Sequence, residues 1–132
     1  LRVGFAVADE GLIAVMERVR ESFNVNALGL VAAEAALGDV DHLQASIAGN
    51  SVQREALADA LRARGMKVAP SQTNFLLVEF GDHSSRIEAR LVGRGVVLRP
   101  MGGYGLGECL RITVGTEVEN QRLLAALDEV MK

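Results

Sequence analysis

The chain has 132 residues, 49% of them hydrophobic, and a formal net charge of −3. So much apolar side chain in a domain-sized length excludes disorder, and no apolar run approaches the length of a membrane span. The slight acidity excludes a basic footprint for nucleic acid or an anionic membrane, so any anion site must be a local cluster of arginines.

The chain opens on Leu1 with no charged leader or cleavage site, and it reads as a piece of a longer protein. Residues 1–8 read as a strand of small apolar residues covered on both faces. Asp9 can cap a helix that carries Leu12, Met16 and Val19 on one face. Asn24 and Asn26 around Val25 mark a loop, and Asn26 can cap an alanine-rich helix over 27–37. That helix is apolar nearly all round and is expected to be buried. Gly38 ends it, and Asp39 can cap a long helix running to Arg64. Its stripe is Val40, Leu43, Ile47, Asn50, Arg54, Leu57 and Leu61: apolar at both ends with a polar waist, as a connector between two domains requires.

After Gly65 the pattern changes. A short strand at 67–69 and a turn at 70–74 lead into a strong strand over 75–80. Read alone, Asn74 is a turn residue. A helix follows, with Ile87 and Leu91 inward and Gly95 just past its end. Val96, Val97 and Leu98 form a short β run that Pro100 stops. The loop at 101–107 holds four glycines and Tyr104, so its backbone can bend where side chains would clash. In the next strand Leu110, Ile112 and Val114 alternate with Arg111, Thr113 and Gly115, which turns Arg111 away from the core. If the two strands pair, Arg99 emerges near the same edge. Two guanidiniums beside one loop suit a carboxylate or a phosphate, although most arginines are solvated or paired with surface carboxylates. Thr116 and Glu119 form a capping box for a last helix burying Val118, Leu124, Leu127 and Met131, with Lys132 at its negative end.

Two lysines are present, Lys67 and Lys132, and each is explained as a surface residue. A single cysteine, Cys109, cannot form an internal disulfide, which fits a reducing, cytoplasmic compartment. His42 and His83 lack metal-ligand spacing, so no metal is assigned. The glycines at 102–107 lead into a strand and do not open a helix, so they lack the context of a dinucleotide or Walker loop.

The wording of several stretches closely resembles one family. Gly-Val-Val-Leu-Arg (95–99) and Leu-Arg-Ile-Thr-Val-Gly (110–115) resemble the C-terminal signature of histidinol-phosphate aminotransferases, pyridoxal-phosphate (PLP) enzymes of the aspartate aminotransferase superfamily. Leu-Arg-Val-Gly-Phe (1–5), Phe-Asn-Val-Asn (23–26) and Thr-Asn-Phe (73–75) match as well, so the resemblance covers nearly the whole chain. It implies the C-terminal part of a fold-type-I enzyme, α+β here and α/β when intact. Residues 1–38 would then be the tail of the large cofactor domain, 39–65 the connecting helix and 66–132 a small domain with helices on one face of a mainly antiparallel sheet.

The resemblance also implies roles. Arg2 would contact the PLP phosphate, Arg111 would bind the substrate carboxylate or phosphate, and Arg99 would reinforce the phosphate. Asn74 would lie near the substrate entrance and Tyr104 with the substrate-binding residues. The family's lysine that carries the cofactor lies upstream, so this chain would be inactive alone. The implied reaction moves an amino group between L-histidinol phosphate and 2-oxoglutarate, within a homodimer. Relatives acting on aromatic amino acids, or decarboxylating threonine phosphate, share much of the framework. A different class, an ACT-like module holding an amino acid through Arg99 and Arg111, would need neither the connecting helix nor the opening stretch.

Overall fold

Helix starts are set by short side chains that accept from otherwise orphaned backbone N–H groups. The computed structural model describes residues 2–131; Leu1, where the expected first strand begins, and Lys132, expected at the last helix end, lie outside them. Asp9 caps α1 (Glu10–Val19), its carboxylate accepting from the Gly11 N–H at 2.8 Å. Asn26 caps α2 (Ala27–Gly38), accepting from the Gly29 N–H at 2.7 Å. Asp39 accepts from the His42 N–H at 3.1 Å ahead of α3 (Val40–Ala63).

The chain divides into two compact units, the break falling between Gln44 and Ala45. In the first unit the expected strand over 1–8 does not form: among the described residues no strand precedes Lys67. A strand is held by hydrogen bonds to a neighbour, and the described residues of this stretch, 2–8, make no ladder pairing. The expected burial also fails here. Leu12, Met16 and Val19 of α1 are exposed, and of α2 only Gly29 is buried. Val3 and Val25 pack so closely over Gly29 that an added Cβ would lie 3.1 Å from Val3.

The second unit has a true core. Strands β1 (Lys67–Val68), β2 (Phe75–Glu79), β3 (Arg99–Pro100) and β4 (Cys109–Thr113) form one antiparallel sheet in the order β1-β2-β4-β3. Leu76 and Val78 of β2 and Leu110 and Ile112 of β4 face inward, where α3, α4 (Ser84–Val92) and α5 (Glu117–Val130) cover them with Leu57, Leu61, Ile87, Leu91, Leu123 and Leu127. This is the expected α+β layer of helices on one sheet face.

Three expectations shift in detail. Residues 96–98 are not a strand; pairing is confined to Arg99 opposite Arg111 and Pro100 opposite Leu110. Pro100 therefore sits within an edge strand, where a missing N–H costs no ladder bond, and does not end one. On α5 the buried face is Asn120, Leu123, Leu127 and Val130, while Val118 (75% exposed) and Met131 (46%) face outward and Leu124 is half-buried. Asn120 can occupy an inward position because its amide is satisfied: it donates to Gln53 and to the Gly115 carbonyl and accepts from the Gly115 N–H. On α3 the outer stripe of Val40, Leu43 and Ile47 is exposed, whereas Leu57 and Leu61 are fully buried. The polar waist includes a buried Arg54, which donates to Ser51 and Glu55.

Candidate functional site

Alternation along β4 decides what the open face of the sheet carries. With Leu110 and Ile112 in the core, Cys109, Arg111 and Thr113 point the other way, and on β2 so do Phe75, Leu77 and Glu79. Arg111 lies between Leu77 on β2 and Arg99 on β3. The two arginines are direct cross-strand partners, an arrangement in which like charges repel unless something compensates.

No carboxylate does. Among the described residues neither Arg99 nor Arg111 enters an ion pair; Arg2, Arg18, Arg86, Arg90 and Arg122 enter none either, so it is the direct opposition of these two across strands that sets them apart. Aromatic faces take that place. The Arg111 guanidinium carbon lies 4.9 Å from the Phe75 ring centroid, and that of Arg99 lies 5.7 Å from the Tyr104 ring. Arg99 also donates from Nη2 to the Tyr104 hydroxyl at 3.0 Å. Arg111 is half-buried, and its Nε is sealed from solvent with no acceptor among the described residues. Two cations held on aromatic faces, with no counter-ion among the described residues, make this face the candidate site for an anion.

The surrounding backbone is built to hold this arrangement. Ser71 donates to the Phe75 carbonyl at 2.7 Å and accepts from the Thr73 N–H, which fixes the turn delivering Phe75 beneath Arg111. The Met101 carbonyl accepts from the Tyr104 and Leu106 N–H groups, closing the turn that carries Tyr104. Gly105 takes a φ of 75°, which disfavours any residue with a Cβ. Buried Ser84 donates to the Gly107 carbonyl at 2.6 Å and pins the far end of the loop to α4.

The fold thus brings Arg99, Arg111 and Tyr104 together. Asn74 stands apart, at the start of β2; its carbonyl accepts from the Val114 N–H, three positions along the strand from the residue opposite Arg111. Arg2 belongs to the first unit, where it is exposed with a left-handed φ of 58°. That unit also holds a cleft of about 660 Å³, lined by Phe5, Ile13, Met16 and Arg20 among others. Its walls are largely apolar, and the charges among them, Arg20 and Glu17, are paired with each other, so the uncompensated charge lies on the sheet face instead. Lys67 is engaged by Glu79 at 2.7 Å, and its pKa is raised chiefly by that hydrogen bond. Burial, with Glu79 and Glu108 adding to it, pushes the Cys109 thiol up, away from a reactive thiolate. Among the described residues no group of three or more His, Cys, Asp and Glu side chains is placed to hold a metal ion, and no helix is long and apolar enough to cross a membrane.

Sequence reasoning alone passed over Phe75 as a platform, Ser84 as a loop anchor and Asn120 as a strand clamp. Phe75 carried a usable signal, since period two from buried Leu76 places it on the Arg111 face. Ser84 carried none, because its partner lies 23 residues away; Asn120 clamps Gly115 only five residues back, but its inward placement also depends on Gln53, 67 residues away.

The second unit is a two-layer α+β domain with an arginine pair on its open sheet face. The class I and II aminotransferase model matches residues 1–127, and the chain belongs to that family. Histidinol-phosphate aminotransferase 1 of Nitrosococcus oceani is 42% identical over all of this chain and 36% of its own length. Histidinol-phosphate aminotransferase 1 of Thiobacillus denitrificans is 44% identical over 99% of this chain and 34% of its own. The solved histidinol-phosphate aminotransferase of Sinorhizobium meliloti, in complex with pyridoxal-5'-phosphate, superposes with a TM-score of 0.79 at 31% identity, covering 92% of this chain and 34% of that one. The chain therefore spans about a third of the length of the relatives it matches.

Proposed function

We propose that the protein carrying this segment is a PLP-dependent aminotransferase that transfers an amino group between L-histidinol phosphate and 2-oxoglutarate in histidine biosynthesis. The observation that carries the reading is the Arg99–Arg111 pair, directly opposed across two strands, stacked on Phe75 and Tyr104 and free of any carboxylate among the described residues. The enzyme must accept glutamate through a carboxylate and histidinol phosphate through a phosphate in the same place. A guanidinium fork suits either anion.

Arg111 grips the carboxylate or phosphate, Arg99 adds charge toward the phosphate, and Asn74 and Tyr104 border the approach. The exposed Arg2 guanidinium fits a phosphate monoester in charge and donor geometry, and it would hold the PLP phosphate. PLP, when bound, supplies the electron sink and carries the amine. Lys67 is engaged by Glu79 and neither it nor Lys132 matches the family's cofactor lysine, which the resemblance puts upstream of this segment. Residues 1–38 complete the cofactor domain, 39–65 connect and 66–132 form the small domain. The intact protein works as a homodimer in the cytoplasm.

The test is to load the full-length protein with PLP and follow its visible spectrum with L-histidinol phosphate or, separately, phenylalanine. Conversion of the cofactor to its amine form by histidinol phosphate alone supports both reaction and substrate. Conversion mainly by phenylalanine keeps the reaction and moves the substrate to aromatic amino acids. Failure to bind PLP at all overturns the enzyme reading.

A further inference from the structure

We propose that Tyr104 is the residue that separates a phosphate from a carboxylate at this site, an inference that rests on reading Arg99 and Arg111 as the anion grip. Three observations carry it.

The phenol is built into place. Its backbone is closed into a turn on the Met101 carbonyl, and the loop is pinned again at Gly107 by buried Ser84. Arg99, in turn, is oriented by Tyr104: its hydrogen bond to the phenol oxygen and its position over the ring are the interactions that hold its guanidinium.

Hydrogen-bond capacity comes next. By accepting from Arg99 Nη2, the phenol oxygen uses one lone pair and keeps its own proton to donate. The adjacent guanidinium polarises that O–H and makes it a stronger donor toward an anion. The side chain is 64% exposed, so the proton is available to a ligand on the open face.

The third point is stoichiometry. A carboxylate has two oxygens, which the Arg111 fork satisfies bidentately. A phosphate monoester presents three terminal oxygens and up to two negative charges. The additional oxygen and charge are met by Arg99 and the Tyr104 hydroxyl acting as one unit. Tyr104 therefore acts on the phosphate both directly and by positioning Arg99, and a carboxylate ligand draws on it little.

The experiment uses the full-length PLP-loaded protein and the variants Tyr104→Phe and Arg111→Lys. Tyr104→Phe keeps the ring beneath Arg99 and removes only the hydroxyl. KM is measured for L-histidinol phosphate and for glutamate, and inorganic phosphate is titrated as a competing anion. The expected result is that Tyr104→Phe raises the KM for histidinol phosphate, and the inhibition constant of inorganic phosphate, by about tenfold relative to its effect on glutamate. An equal change for phosphate-bearing and carboxylate ligands, or no change in either, overturns the assignment. Arg111→Lys separates the two levels. If it weakens both substrates while Tyr104→Phe shows no split, only the role of Tyr104 falls. If it weakens neither, the anion site itself is wrong. The phosphate titration reads the site even if turnover proves to prefer another amine.

Discussion

The two faces of the sheet follow opposite rules. On the helix-covered face every strand side chain is aliphatic, and the buried polar Asn120 among the covering helices is matched by Gln53 and Gly115. On the open face Arg99 and Arg111 are paired across strands, neither in an ion pair among the described residues, and aromatic rings support them. One face is closed by the chain's own helices, whereas the other is left open with its two arginines side by side. An unpartnered buried donor does not separate the faces, since Arg54 Nε on α3 is one as Arg111 Nε is; what sets the open face apart is two like charges held opposite each other.

That contrast can be broken most severely from the covered side. Leu127, fully buried in the core cluster, should cost about 2–5 kcal/mol when truncated in Leu127→Ala, read as a lowered denaturant midpoint of the protein. The corresponding cut on the open face should leave stability nearly untouched and strike binding. Arg111→Lys loses the bidentate fork, and KM should rise more than about tenfold for both the phosphate and the carboxylate substrate, each charge-assisted bond being worth roughly 1.5–3 kcal/mol. An unchanged KM would remove Arg111 from the site.

Asn120→Ala tests the seam between the faces. It frees Gly115 at the end of the Arg111 strand and unpairs Gln53, and it should cost about 1–3 kcal/mol. If melting and KM shift together, the clamp also aligns Arg111. If melting alone shifts, it is purely structural.

The smallest expected effect is at the start of α5, where Thr116→Ala should cost about 1 kcal/mol by removing the cap. The same cap has a pH signature. The Glu119 carboxylate accepts from the Thr116 N–H and hydroxyl at 2.8 Å, and those bonds hold its pKa below the usual carboxylate range. A depressed folded-state pKa stabilises above the unfolded value, and the contribution fades as pH falls through the folded one. Relative to Glu119→Gln, the native protein should lose its advantage only in that acidic window. An advantage constant down to the lowest pH would refute the carboxylate's role.

Local chemistry was legible residue by residue. Asp9, Asn26, Asp39 and Thr116 start helices where their short acceptors indicate, because a cap is settled within four residues of chain. The period of two around Arg111 was equally legible, since a strand alternates whatever surrounds it. The face of α5 was not. Val118 and Met131 look as suitable for burial as Leu123 and Val130, and the choice was made by an asparagine whose partner, Gln53, sits on another helix.

For this protein the sequence by itself determined the helix starts, the outward-facing arginine, the α+β class and, through its motif wording, the family. Tertiary structure alone decided that Arg99 stands opposite Arg111, that Phe75 and Tyr104 support them, and which side of each helix is buried. The physical reason is range. Caps and alternation are fixed by bonds among near neighbours, whereas register, stacking and burial depend on residues tens of positions away meeting in space.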